Sequence, residues 1–282
     1  NLLQKPAYNL KGDFRTFTSS QFPKGEAFIG AKVPVEDVRG LMQLQSTNFN
    51  VIDTNLQFKR PALPIDESIN KARFATHEDS VAVQSIAREE FVHNRFQRDP
   101  EIDNHIALKI YEEWVANYFI GKRGEWMVVI EDDKGIGGFL LLLHDEVQSN
   151  LIIDLIGVAS RWRNKGFAHS MVAFALNECL ENTVAIKVGT QISNLPSILL
   201  YNGLGFKLTS AAFVLHFNGD GTSAVGGWLD ILPAATSEED QAFLKGARRI
   251  ARTRSKVLSG WPVSRDFHTS RRLGPLCEAG LS

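Results

Sequence analysis

The sequence is short of cysteine, of net charge and of long apolar runs, and each shortage removes a class of protein. Only two cysteines, Cys179 and Cys277, occur in 282 residues. They lie far apart, and Cys179 falls in an apolar helical pattern, so a buried free thiol is expected and a disulfide framework is not. Lys and Arg number 31 against 32 Asp and Glu, a formal net charge of −1. No overall field therefore draws the chain to nucleic acid or to an anionic membrane, and no nucleic-acid partner is expected. No apolar run approaches the roughly 18 residues that a membrane span needs. The longest, GFLLLLH, has the length of a buried strand. No secretory signal is visible, and the expected location is cytoplasmic. The seven histidines are scattered and no cysteine pair has ligand spacing, so no metal is expected.

What is present reads as an α/β protein. The length suits one large domain or two modest ones. GEAFIGAKVPV and FNVIDTNLQFKR read as strands around a helix carrying Val38, Leu41, Met42 and Gln45 at helical spacing. This makes a small N-terminal β-α-β unit, set at residues 1–66 and too small to stand alone. The prolines of PALPIDESI mark a linker. Thr76 and Asp79 have capping-box spacing ahead of an apolar stripe of Val83, Ile86, Ala87 and Phe91. A second helix places Ile106, Ile110, Trp114 and Val115 on one face. A hairpin follows, turning at Asp132, Asp133, Lys134 and Gly135. Then come the strand NLIIDLIGVAS, a helix from about Ala168, the strand VAIKVGT, the helix NLPSILLYNGLG and the strand FKLTSAAFVLHF. The order α-α-β-β-β-α-β-α-β over residues 70–218 implies a mixed sheet with helices on its faces. From residue 219 to 282 the composition changes. Lys245 to Arg272 hold nine Lys or Arg and one acid, Asp266. A disordered or extraneous tail is the plain reading, and an arm for nucleic acid or an acidic partner the sharper one.

The stretch RWRNKGFAHS, residues 161–170, lies between a strand and a helix. The first N–H groups of a helix lack backbone partners and the helix dipole favours an anion there. Gly166 permits close backbone approach, Ala168 keeps the helix start uncluttered, and Arg163 and Lys165 add charge suited to a pyrophosphate. The stretch matches neither the P-loop nor the G-x-G-x-x-G pattern. Alone it is also compatible with a surface turn.

With its neighbours it resembles the acyl-CoA-binding motif of the GNAT N-acetyltransferases. The pattern [QR]-x-x-G-x-[GA] is met by Arg163, Gly166 and Ala168. A second pattern, N-x-x-[AS]-x-x-x-Y-x-x-x-G-F, is met by Asn194, Ser197, Tyr201, Gly205 and Phe206. The resemblance runs from about Arg73 to Phe217. A looser one, from about Gly25, is to the TDP-fucosamine acetyltransferases and related sugar-amine enzymes. It rests on FVHNRFQRDPEI, YEEWVANYFIGKR, AKVPVEDV, VIDTNLQFKRP and the T-Q-x-x-N of Thr190, Gln191 and Asn194.

The resemblance implies the GNAT acyl-CoA N-acyltransferase fold and acetyl-CoA as co-substrate. It implies transfer of the acetyl group to a primary amine, that of a nucleotide-linked amino-deoxy sugar. A protein or polyamine acetyltransferase and a non-catalytic acyl-CoA-binding domain are the alternatives, and a homodimer is left open. In such an enzyme Arg163, Asn164, Lys165, Gly166, Phe167, Ala168 and His169 hold the pyrophosphate. Ile156 and Val158 lie along the pantetheine, with the Val158 backbone near the thioester, and Asn194 and Ser197 lie beside the arm. Gly157 fits either close backbone approach or strand packing. Tyr201 is the expected general acid for the leaving thiolate. Asp154 is a candidate base acting through water, with His144, Asp145 and Glu146 as competitors and water alone as a further choice. Arg95, Arg98 and Asp99, in the loop between the first two helices, and Gln191 are the candidate acceptor ligands, with a solvated loop as the plain reading of the first three. Trp114 and Tyr111 are read as core residues.

Overall fold

The computed structural model describes residues 2–3, 5–65, 71–91, 94–124, 126–220 and 231–233. The basic stretch from Lys245 to Arg272, the helical pattern before it and Cys277 lie outside the described residues. Strands β1 (Ala7–Leu10), β2 (Glu26–Pro34) and β3 (Asn50–Pro61) come first, with α1 (Val38–Ser46) between the last two. After β4 (Ala72–Phe74) come α2 (Ser80–Glu90), the single turn α3 (Arg95–Arg98) and α4 (Asn104–Phe119). The hairpin β5 (Trp126–Asp132) and β6 (Gly135–Asp145) leads to β7 (Asn150–Val158), α5 (Phe167–Glu178) and β8 (Ala185–Gln191). Helix α6 (Leu195–Gly203), β9 (Lys207–Asp220) and β10 (Ile231–Pro233) complete the described chain. The ten strands form one sheet in the order β10-β1-β2-β9-β3-β8-β7-β6-β5-β4. Pairs β1–β2 and β7–β8 are parallel and the others antiparallel. This is the mixed α/β fold expected from the sequence.

The unbroken apolar runs of β5 and β6 follow from burial on both faces. Val128, Ile130, Leu140 and Leu142 pack under α5 and α6 with Met171, Val172 and Leu176. Their sequence neighbours Met127, Val129, Phe139 and Leu141 face α2 and α4, against Val83, Val115 and Phe119. The expected turn joins these strands, with Asp132 Oδ1 accepting from Lys134 N at 2.9 Å. The expected box at Thr76 also forms, Asp79 Oδ2 accepting from Thr76 N at 2.7 Å.

Three expectations are corrected. The first 66 residues do not form a β-α-β unit of neighbouring strands, because β9 inserts between β2 and β3. The sheet is continuous, and the phenylalanines of the leading stretch supply the reason. Phe17, Phe22 and Phe49 close on Phe217 of β9, with Phe22 and Phe217 ring centroids 4.2 Å apart. Residues after 218 are not uniformly outside the fold either, since Ile231–Pro233 pair with Leu10–Tyr8. Two helix stripes are rotated. Helix α1 buries Gly40 and Leu44 and exposes Val38 and Met42. Helix α4 buries Ala107, Tyr111, Val115, Tyr118 and Phe119, which turns Trp114 toward a cleft.

Asp99 follows α3 and is buried where β9 passes beneath it. Its Oδ2 is 2.8 Å from His216 Nδ1 and accepts from Asn218 Nδ2 at 3.0 Å, and Oδ1 accepts from Glu101 N at 3.0 Å. Burial opposes ionisation of Asp99, but these hydrogen bonds outweigh it and lower its pKa. Burial also lowers the His216 pKa, against the pull of Asp99. Both groups therefore bind fewer protons folded than unfolded, so stability is lost as pH falls. The Tm is expected to decline once pH drops below about 6.5, the ordinary histidine value. In His216→Gln, which keeps a donor, this neutral-range slope should flatten. An unchanged slope in thermal scans from pH 8 to 5 would exclude His216 as its source.

Candidate active site

The parallel strands β7 and β8 start as a pair and then part. Asn150 to Ile153 pair with Ala185 to Val188, and the pairing stops there. Both strands continue, β7 to Val158 and β8 to Gln191. On its other edge β7 stays on β6 as far as Val158 opposite Gly138. The register shifts between Ile153 and Leu155, leaving Asp154 as the extra residue of a β-bulge. A bulge bends its strand and increases local twist, and here it falls where β7 leaves β8. The result is a wedge-shaped gap flanked by a β7 edge free of strand pairing.

The gap opens onto the N-terminus of α5. Asn164 (φ 61°) and Gly166 (φ 76°) both adopt the left-handed conformation, which reverses the chain and aims the first N–H groups of α5 outward. A Cβ on Gly166 would meet nothing within 4 Å, so its glycine is required by conformation rather than by space. At Gly157 the space is already filled, since a Cβ would fall 2.9 Å from Phe139 and 3.1 Å from Phe91. Packing of these rings accounts for that glycine. No acid occupies the first turn of α5. The described residues enclose a cleft of 1520 Å³ here, larger than the roughly 300–1,000 Å³ of a site for one small ligand. Two substrates have room.

The cleft gathers most of the expected residues. Ile156, Val158, Arg163, Asn164, Gly166, Phe167, Ala168 and His169 line it, as do Gln191, Asn194, Ser197 and Tyr201. Lys165 does not; it is exposed, with Asp132 among its electrostatic neighbours. Arg163 is held by Glu90, Nη2 to Oε2 at 2.5 Å, while Glu90 also accepts from Ser160 N and Oγ. Asn194 caps α6, its Oδ1 accepting from Ser197 N at 3.3 Å. Tyr201 is buried between Phe58 and Phe206, with centroids 6.0 and 5.6 Å away. Its hydroxyl has no hydrogen bond to a described residue. Burial raises its pKa, which keeps the phenol protonated.

Asp154 is placed differently from a waiting base. Its Oδ2 accepts from Trp114 Nε1 (2.8 Å), Tyr118 Oη (2.6 Å) and Arg123 Nε (2.8 Å), and Oδ1 accepts from Arg123 Nη2 (2.8 Å). The side chain is 3% exposed. The arrangement clamps the bulge onto α4 and leaves little of the carboxylate to receive a proton. Burial and the Asp154 charge push the Tyr118 pKa well up, so Tyr118 serves as a donor. Among the competitors, Asp145 caps the β6–β7 turn through Val147 N and Gln148 N, both 3.2 Å from Oδ1. His144 and Glu146 do not line the cleft.

On the acceptor side, Arg95 and Gln191 line the cleft, whereas Asp99 is committed to His216 and Asn218 and does not. Tyr111 is sandwiched in the core next to Phe91 (4.9 Å, 5°), and Trp114 lies parallel to Tyr111 (5.8 Å, 3°) with the Arg123 guanidinium 4.2 Å from its ring. Trp114 is thus occupied by protein groups. The sequence reading missed Asn55, Gln57 and Lys59 of β3 and Lys32 of β2, all in the cleft lining. The alternation of Asn55, Gln57 and Lys59 with Leu56 and Phe58 was the available signal for the β3 residues. Among the described residues no group of three or more His, Cys, Asp or Glu is arranged to hold a metal, and no helix is long and apolar enough to cross a membrane.

A splayed parallel pair, a bulge at the parting and an anion-ready helix start together form this cleft. Residues 81–206 match the model of the Acetyltransferase (GNAT) family, and the chain is an N-acetyltransferase. It is similar to the spore coat polysaccharide biosynthesis protein SpsD of Bacillus subtilis (strain 168), 24% identical over 212 residues that cover 73% of this chain and 72% of that protein. Solved structures with a similar course include a conserved protein of unknown function from Staphylococcus epidermidis ATCC 12228. It has a TM-score of 0.49 and 11% identity, covering 67% of this chain and 71% of that one. A GNAT acetyltransferase from Colwellia psychrerythraea has a TM-score of 0.47 and 12% identity, covering 69% and 65%.

Proposed function

We propose that the protein transfers an acetyl group from acetyl-CoA to the primary amine of a nucleotide-linked amino-deoxy sugar, by direct attack with both substrates bound. The observation that carries the donor is the gap between β7 and β8 opening onto the left-handed turn at Asn164 and Gly166. The backbone of that turn and the α5 start would take the pyrophosphate, with Arg163 beside it. Ile156 and Val158 would border the pantetheine from one side, and Asn194 and Ser197 from the other. In the reaction the amine nitrogen bonds to the thioester carbon, the C–S bond breaks, and the amine gives up a proton while the thiolate gains one. Tyr201 would supply the thiolate's proton, and solvent in the open cleft would accept the amine's.

A sugar acceptor is supported by two features. The matched relative's name concerns polysaccharide biosynthesis. The floor and rim of the acceptor half carry amides and cations, Asn55, Gln57, Gln191, Lys32, Lys59 and Arg95. A polyamine would be repelled by these cations and would call for carboxylates instead. The test is thiol release by the purified chain with acetyl-CoA and a panel of nucleotide-linked 3- and 4-amino sugars, polyamines and peptides. Turnover is expected with a nucleotide-linked amino sugar. Turnover confined to polyamines or peptides would overturn the reading.

A further inference from the structure

Past the point where β7 and β8 part, the sheet face on the α4 side continues across β8, β3 and β9. Leu56, Phe58, Ile186 and Val188 point into the core on the other face. Alternation along the strands therefore turns Asn55, Gln57 and Lys59 of β3 and Lys187, Gly189 and Gln191 of β8 toward the cleft, and all six line it. The register sets amide opposite amide at one end and lysine opposite lysine at the other. Asn55 is opposite Gln191, Gln57 opposite Gly189, and Lys59 opposite Lys187. On its other side Lys59 is opposite Lys207 of β9. Three lysines thus stand in a row across three adjacent strands, on one face; Lys59 and Lys187 line the cleft, and Lys207 continues the row just outside its lining.

Folding alone does not favour this row. Directly opposite residues share a face about 4.5–5.5 Å apart, and like charges there destabilise the pair. Neither the Lys59 nor the Lys207 side chain forms an ion pair or hydrogen bond with a described residue, and Lys187 donates to a neutral group, Gln148 Oε1, at 2.6 Å. The acid of the cleft near this end, Asp145, accepts backbone N–H groups of its own turn. Between the lysines and the gap lies a run of amides. Gln57 Nε2 donates to Asn55 Oδ1 at 2.6 Å, and Asn55 Nδ2 donates to Thr190 O at 3.3 Å. The run lies close over Gly189, where a Cβ would fall 2.7 Å from Gln57 Nε2 and displace that amide. From Gln57 to Lys59 the strand advances about 7 Å, close to the breadth of a sugar ring.

We propose that Lys59, Lys187 and Lys207 form a phosphate subsite for the acceptor, with Asn55 and Gln57 bonding hydroxyls of the amino sugar between that subsite and the reacting thioester. This rests on the amino-sugar reading above and names the residues that select a phosphate-bearing form. Ammonium groups recognise phosphate as point charges, and the cleft focuses the field of Lys59 and Lys187, which line it. The other phosphate available to this enzyme is the 3′-phosphate of CoA, so the experiment separates the two.

Steady-state kinetics of the full chain and of a Lys59→Gln/Lys207→Gln double variant would be compared, with acetyl-CoA and acetyl-dephospho-CoA as donors. Acceptors would be a nucleotide-linked amino sugar and the same sugar without phosphate. In the variant the KM for the nucleotide-linked acceptor should rise about five- to tenfold, the sum expected of two partly exposed charge pairs. Its KM for acetyl-CoA and for the phosphate-free sugar should be unchanged. The Tm should not fall, because like-charge repulsion is relieved; a purely structural role would lower it. A rise in the acetyl-CoA KM that vanishes with the dephospho donor would assign the lysines to CoA and overturn the proposal. Equal KM values of the unaltered chain for free and nucleotide-linked amino sugars would overturn it too, and leave the amino-sugar reading standing. Lysine-dependent turnover of phosphate-bearing amines that are not sugars would do the reverse, keeping the subsite and removing the sugar.

Discussion

Asp154→Ala is expected to cost the fold about 3–5 kcal/mol, the range for breaking a buried ion pair from one side. The loss does not come from the missing carboxylate alone. Arg123, 17% exposed in its side chain, would lose its two-point ion pair with Asp154, and the donors Trp114 Nε1 and Tyr118 Oη would lose their shared acceptor. For a chain of this size the corresponding drop in Tm is on the order of 10 °C. Asp154→Asn should also be destabilised, because an amide keeps the shape but removes the charge that pairs with Arg123 and puts an NH2 group where donors converge. The prediction separates two roles that the sequence left open. A carboxylate acting as base would show an Asn variant with near-normal Tm and a large loss of kcat. A carboxylate clamping the bulge would show a lowered Tm, and the folded variant below its transition would retain much of its kcat. Thermal unfolding and initial rates on the same preparations decide it, and normal stability with lost turnover would restore Asp154 as the base.

The contrast between Asp154 and Tyr201 shows what the sequence could reveal. Motif residues are legible when their role is carried by backbone conformation or by a fixed offset along one helix. Gly166 is an example, needed for a positive φ just ahead of α5, and so is the Asn194–Ser197–Tyr201 spacing on α6. The apolar double-sided strands β5, β6 and β7 were legible for the same reason, since alternation and length are local. Asp154 was not, because its three clamping partners lie 31 to 40 residues upstream. Asp99 was misplaced because His216 and Asn218 are 117 and 119 residues away. The insertion of β9 between β2 and β3 was hidden in the same way. Its phenylalanine contacts join residues 17, 22 and 49 to residue 217, and no window of local periodicity spans that distance. The cleft floor was half legible. The alternation Asn55, Gln57, Lys59 against Leu56 and Phe58 reports a polar face, but not that Lys187 and Lys207 are its neighbours.

Tyr201→Phe is expected to lower kcat by about 10²–10⁴, the range for loss of a positioned general acid. Binding of acetyl-CoA and the fold should be almost untouched. The ring that packs against Phe58 and Phe206 is kept, and no described residue loses a hydrogen bond with the hydroxyl. The pH dependence follows from burial, which raises the phenol's pKa. An acid must carry its proton to act, so activity would be lost only as pH rises past that raised value. The rate should therefore climb as the acceptor amine deprotonates and then hold, with no alkaline decline up to about pH 10, the ordinary tyrosine value. A tyrosine acting instead as base would have to ionise, and burial at this position works against that. The decisive measurement is a kcat–pH profile for both proteins alongside the Kd for acetyl-CoA. If Tyr201→Phe turns over at the rate of the unaltered chain, the thiolate leaves without this proton and the acid assignment fails. If kcat is intact but Kd rises, the ring and its hydroxyl belong to the donor-binding wall of the cleft rather than to the proton transfer.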